Sequence, residues 1–180
     1  MERVLEPANL KRSLSDLLRL STMTVATSGP DSEAHAADVY FACDEQLTLY
    51  FFSDASSQHG IDIREDLRAA ITIHADRAGW EQILGLQMRG VIEVISSRTS
   101  WRQAWEVYSE KFPFVNDLEE VVAVNQMYGF KPGWIRLVDN SQGLGFNQEW
   151  QAHMIDNDGE NVRVWQEITR QDKPSRKANG

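Results

Sequence analysis

The chain has one cysteine, Cys43, so no internal disulfide can form and no thiolate metal cluster can assemble within one copy. No apolar run approaches the length that a membrane span requires. Positive charge is scarce. The 18 Lys and Arg against 27 Asp and Glu leave a formal net charge of -9, a surface that repels DNA, RNA and anionic lipid. No nucleic-acid or membrane partner is expected. The opening stretch, MERVLEPANLKRSLSDLLRL, carries charges throughout and has no compact apolar region before a small-residue cleavage site. It does not read as a signal peptide, and a cytoplasmic location is the expectation. Internal repeats and linker-like composition are missing as well. What remains is ordinary globular composition, 42% hydrophobic and 25% charged over 180 residues, enough for one core.

The pattern of that composition is mostly β. Residues 9–20 carry leucines at 10, 14, 17, 18 and 20, the spacing of an amphipathic helix, with Asn9 as a candidate N-cap. Residues 22–27 (TMTVAT) alternate and are β-branched, which predicts a strand; Ser28 to Ser32 is a turn signal. Strands are predicted over 34–42, 47–53, 69–75 and 84–95, with Gly90 at a bulge or close backbone approach. A short helix fits between the second and third of these. Residues 99–111 predict a helix with Trp101, Trp105 and Tyr108 on one face, capped by Ser97 or Thr99. A short helix is predicted over 117–128. Lys131-Pro132-Gly133 breaks the pattern, a last strand covers 134–138, and a turn follows. About six strands with short helices outside them predict a mainly β fold, an antiparallel barrel whose closure removes sheet edges. Residues 1–150 form that domain in this reading. Residues 151–180 form an extension with few large apolar residues, and its last ten, QDKPSRKANG, predict disorder.

The block LTLYFFSDASSQHGIDIREDLRAAITIHA is similar to the central signature of the FMN-binding split barrels, the pyridoxamine 5′-phosphate oxidase-like superfamily. There a strand ends in an aromatic and a Thr or Ser, and a loop follows with Ser, a cation two residues on, then Asn-Leu. The matching residues are Tyr50 to Ser53, then Ser57, His59, Asp62 and Ile63, then Ile71 to His74. HAADVYFA resembles the family strand that faces the flavin, LGLQMRGVIEVI the strand after it, and KFPF with WIRLVDNSQGLGF the ending of one branch. The resemblance spans roughly residues 14–150, most of one domain. It implies a six-stranded split barrel, FMN as cofactor, and a homodimer with the cofactor sites at its interface. F420 or haem stand as alternatives, as in some relatives.

An FMN phosphate is a dianion that needs several donors, and a loop entering a helix offers free N–H groups. Ser56, Ser57, Gln58 and His59 supply side-chain donors on such a loop, beside Ser53. The resemblance assigns ring contacts to the strand holding Val39 and Tyr40. Tyr40 and Phe41 point to opposite faces of that strand. Gln87, an amide among apolar strand residues, suits the edge of the ring. Two departures stand out: His59 replaces the family's cation and Asp62 its Asn, with Arg64 near enough in sequence to compensate. Trp134 fits core packing, and with Gly143 to Phe146 it also suits closing a pocket. Gly143-x-Gly145 lacks the third glycine of a dinucleotide fingerprint. His35, His74 and His153 show no metal spacing, and the carboxylates beside Cys43 raise its pKa.

Three functions follow from the resemblance: an FMN-dependent oxidoreductase acting on a small substrate, a flavin, F420 or haem carrier without turnover, and a ligand-free dimeric scaffold. No acid–base pair is legible, so no catalytic residue is assigned. Pyridoxamine-phosphate oxidation itself is not expected. Relatives with that activity carry basic residues near the C-terminus, and Arg163, Arg170 and Arg176 fall in no match.

Overall fold

A computed structural model describes residues 4–29, 33–76, 79–157 and 160–168. The strands are β1 (Val4–Leu5), β2 (Thr22–Ser28), β3 (Ala34–Cys43), β4 (Leu49–Ser53), β5 (Arg68–His74), β6 (Leu84–Val94), β7 (Gln126–Asp139), β8 (Asn147–Asn157) and β9 (Glu160–Glu167). The helices are α1 (Pro7–Ser13), α2 (Ser15–Leu18), α3 (Gln58–Glu65), α4 (Arg98–Lys111) and α5 (Glu119–Val124).

Antiparallel pairings run β7-β4-β3-β2-β5-β6, and β6 then pairs back onto β7. The result is a closed six-stranded barrel with short helices outside, as the sequence predicts. β7 is where it splits. Gln126–Phe130 pair with β4, whereas Trp134–Val138 pair with β8, while β6 follows both halves. From β8 the sheet continues through β9 to β1.

The alternation in β2 puts Met23, Val25 and Thr27 inside. In β3 Phe41 is buried in the barrel core and Tyr40 is exposed on the other face, as the period of two demands. The predicted leucine stripe closes one end: Leu10, Leu14, Leu17 and Leu18 are all buried. A second core lies outside the barrel, where Ala104 and Tyr108 of α4 and Phe112 just after it pack on Ala42, Ile95 and Met127. Ser97 caps α4 by accepting from the Ser100 N–H.

Four expectations need correction. α1 begins on Pro7, with Glu6 as N-cap, so Asn9 lies inside the helix. Proline's fixed φ suits the first turn, where its missing N–H costs nothing. The helix expected over 117–128 is shorter: a 3₁₀ turn covers Pro113–Asp117, α5 ends at Val124, and Met127 and Tyr128 belong to β7. Both are buried on opposite faces, Met127 under α4 and Tyr128 stacked on Phe51 at 5.2 Å. A strand buried on both sides shows no alternation, so its period is invisible. Lys131-Pro132-Gly133 does not interrupt the strand. Pro132 pairs with Gly90 where the β6–β7 register shifts, a bulge at which its missing N–H is tolerated. Trp134 is half-buried on the outer face under the Arg89 guanidinium, 4.2 Å from the ring centroid, and is not a core residue.

The C-terminal hairpin contributes Trp150, Val164 and Trp165, each buried. The tail expected to be disordered, with Arg170 and Arg176, lies outside the described residues, as do residues 30–32 of the turn expected from Ser28 to Ser32. No helix among those described is long and apolar enough to cross a membrane.

Candidate functional site

A cleft of about 480 Å³ opens between β3, the end of β4 and the segment from α4 to α5. Asp38, Val39 and Tyr40 border it from β3, Phe52 and Ser53 from β4, and His59 from α3. The opposite wall is apolar: Tyr108, Phe114, Val115, Leu118, Val121 and Val122. Tyr40, half exposed, meets Phe112 and Phe114 edge-on at its mouth. The cleft thus gathers Val39, Tyr40, Ser53 and His59 of the sequence-predicted set. It offers an apolar wall with polar groups on the facing strands and α3, the usual character of a small-molecule site.

The polar end is built at the start of α3. Ser57 is the N-cap, its hydroxyl accepting from the Gly60 N–H and donating to the Asp54 carbonyl at 2.6 Å. His59 Nε2 hydrogen-bonds the Ser53 hydroxyl and lies 3.2 Å from that of Ser57. The two serine oxygens are 3.4 Å apart. These three side chains form one cluster of hydroxyl and imidazole. Gly60 lets the loop fold this tightly, because a Cβ there would sit 2.8 Å from the Asp54 and Ala55 carbonyl oxygens. Burial holds the His59 pKa below its ordinary value against a smaller upward pull from Asp62. The ring is therefore neutral at pH 7.

The other loop donors are engaged elsewhere. Asp54 Oδ1 accepts both the Ser56 N–H and its hydroxyl at 2.7 Å, contacts that also depress the Asp54 pKa. Arg64 turns back, donating to the Ala55 carbonyl at 2.7 Å. Gln58 donates to Asp62. Among the described residues no Lys or Arg borders the cleft, whereas the carboxylates of Asp38 and Asp54 do.

Asp62 is the residue whose role the sequence did not reveal. It is wholly buried and accepts from Thr27 Oγ1 (2.7 Å), Gln58 Nε2 (2.9 Å) and His35 Nδ1 (2.9 Å). Burial pushes its pKa up, but these hydrogen bonds and the charge of His35 together bring it below the usual value. The cluster ties α3 to β2 and β3, so it sets where His59 stands. Its only sequence signal is polar residues at inward strand positions.

Gln87 is exposed and borders a different cleft with Thr72, His74 and Val138. It lies opposite Arg136 on the outer face of β6. One chain does not bring it to Val39 and Tyr40. Gly143 to Phe146 turn from β7 into β8, with Gly143 and Gly145 at positive φ, and are not part of the Val39 cleft. His35 is satisfied by Asp62, and no group of three metal-ligating side chains gathers among the described residues. Burial, then Asp44, pushes the Cys43 pKa up to about 12, so the thiol is inert. Arg163 lies over Trp165, 5.1 Å from the ring centroid.

Comparison with known proteins extends this geometry. The profile of a family described as pyridoxamine 5′-phosphate oxidase matches residues 11–139. A UPF0306 protein of Klebsiella pneumoniae (strain 342) is 26% identical over 121 residues, 67% of this chain and 78% of that protein. Among solved structures, the conserved hypothetical protein Rv2991 of Mycobacterium tuberculosis superposes with a TM-score of 0.64 at 16% identity, covering 83% of this chain and 94% of that one. The haem storage protein HutZ of Vibrio cholerae superposes at 0.60 and 13%, covering 68% and 89%. At these identities the two structures share the fold alone.

Proposed function

The chain belongs to the pyridoxamine 5′-phosphate oxidase family, and from that premise we propose that it binds FMN in the cleft of Val39, Tyr40, Ser53 and His59 and is a flavin-dependent oxidoreductase acting on a small substrate. The observation that carries the reading is that this one cleft joins an apolar wall to the Ser53–Ser57–His59 cluster. The ring half of FMN suits the walls of Phe52, Tyr108 and Val121. The phosphate half meets hydroxyl and imidazole donors at the start of α3 in place of a fixed cation.

In this reading Ser53 and His59 hold the phosphate, Ser57, whose proton goes to the Asp54 carbonyl, positions His59 as the cap of α3, and the α4–α5 wall excludes water from the ring. FMN, when bound, supplies the electron-accepting chemistry that no side chain here provides. Tyr40, Phe114, Val121 and Val124 are all exposed beside the cleft. A second copy of the chain is the proposed cover, and it would bring its own Gln87 face to the assembly.

A haem-binding module without turnover is the second reading. The observation favouring it is a neutral imidazole at the cleft edge where the family's cation is expected, since neutral histidine is an iron ligand. The absorbance spectrum of purified protein separates the two: oxidised-flavin bands support the first, a Soret band the second. Ser57→Ala/His59→Ala should weaken FMN binding at least tenfold in a fluorescence-quenching titration. Unchanged affinity would refute the phosphate assignment, and an NADPH-oxidation assay on the yellow protein would tell enzyme from carrier.

A further inference from the structure

We infer that the cleft between the N-terminal helices and α4 is a second binding site, for a small organic phosphate. It shares no lining residue with the Val39 cleft, and the inference stands without the flavin reading.

The cleft has a volume of about 630 Å³. Four cations converge on it from separate elements: Lys11 and Arg12 from α1, Arg19 just after α2, and Lys111 from the end of α4. Its carboxylates are Glu45 and Glu110. Among the described residues that line it, four against two leaves +2 in a chain whose formal charge is -9, while Asp44 and Glu106 lie in the cleft that adjoins it past Lys11 and Glu45. A positive concavity on an acidic molecule focuses anions. Lys11 is engaged by Glu45 at 2.6 Å. Arg12 makes no ion pair among the described residues, and the Arg19–Asp16 contact is long, 3.7 Å, with both side chains exposed. Two guanidinium groups are therefore available at the rim, the side chain best suited to grip phosphate.

Lys111 is fixed at the floor. Its ammonium donates to the carbonyls of Leu18 (3.0 Å) and Leu20 (2.7 Å) and stands 3.9 Å from the Phe41 ring centroid. Leu18, Ala42 and Val107 give that floor an apolar surface. Cations at the rim and an apolar floor suit a phosphate carried on an apolar body better than a bare ion. Desolvation lowers the Lys111 pKa to about 8. A bound anion favours the charged amine, so affinity should fall as pH rises from about 7 to 9.

Isothermal titration at low ionic strength tests this with phenyl phosphate, inorganic phosphate and the neutral benzyl alcohol. The variants are Arg12→Gln/Arg19→Gln and, as a control for net charge, Arg98→Gln/Arg102→Gln at the other end of α4. The expected result is that phenyl phosphate binds more tightly than inorganic phosphate. Binding should weaken at least tenfold in the first variant, hold in the control, and hold in Ser57→Ala/His59→Ala, which alters the other cleft. Lack of wild-type binding, equal loss in both arginine variants, unchanged affinity in the first variant, or an equal loss in Ser57→Ala/His59→Ala would each overturn the proposal. A melting temperature equal to that of wild type establishes that the first variant is folded. If it is not, Arg12→Gln and Arg19→Gln singly are held to the same loss.

Discussion

His59 illustrates how one side chain sets a binding property. Burial keeps it neutral at pH 7, so a phosphate held there meets hydrogen bonds without a full charge. A bound dianion favours the protonated ring, which makes binding proton-linked. FMN affinity should therefore rise as pH falls from about 8 to about 6.5, staying above the second phosphate pKa of about 6. His59→Lys should raise affinity at pH 8 and flatten the profile; fluorescence titration across that range reads both. Asp62 acts on the same site from behind. Removing its carboxylate strands three donors in a buried place, so Asp62→Ala should cost about 3–5 kcal/mol in urea unfolding, and Asp62→Asn less. Its folded pKa lies below the unfolded value, so its stabilisation is present above the ordinary Asp pKa and is lost as pH falls through the depressed one. Melts between pH 2 and 5 should show a slope in wild type that Asp62→Asn reduces.

At the scale of elements, the bulge between β6 and β7 decides where the barrel splits. A Cβ on Gly90 would lie 2.2 Å from the Lys131 carbonyl oxygen and 2.8 Å from Pro132 Cα, both backbone atoms that cannot swing away. Gly90→Ala should destabilise by about 1–3 kcal/mol, seen as a lower thermal midpoint, because relief requires moving a strand. The bulge at Gly90 was legible in sequence, since glycine inside an apolar strand run has few other meanings. Its partner Pro132 was not legible: proline breaks a strand by local rules, and only pairing with Gly90 makes it tolerable. Likewise β2, β3 and the α4 leading turn announced themselves through alternation, β-branching and Ser97. The β7 entry at Met127 and Tyr128 is buried on both faces and carries no period. The cleft wall from Phe114 to Val122 went unrecognised for the same reason, as short irregular pieces have no pattern.

For the whole molecule, the sheet beyond the barrel is part of its stability. Trp165 is fully buried in the same core as Phe41 and Phe130, although it lies in a segment otherwise poor in large apolar residues. Trp165→Ala should cost about 3–5 kcal/mol and lower the denaturant midpoint of the entire molecule in a single transition, followed by far-UV circular dichroism. Independent loss of the hairpin with an unchanged main transition would refute that coupling.

Turn residues, leucine spacing and strand alternation act between near neighbours, so they specified the β-rich fold, the order of its elements from α1 to α4 and the loop after β4, but not β1, β8 or β9. Contacts across long separations are different in kind. Thr27 and Asp62 are 35 residues apart, and they meet only because β2, β3 and α3 reach one register together. That closure alone settled which loop donors face the cleft, that Ser56 and Gln58 turn away from it, and that Lys111 meets Arg12 across a second one. Register in a closed barrel is a property of all its strands at once, and no short window of residues contains it.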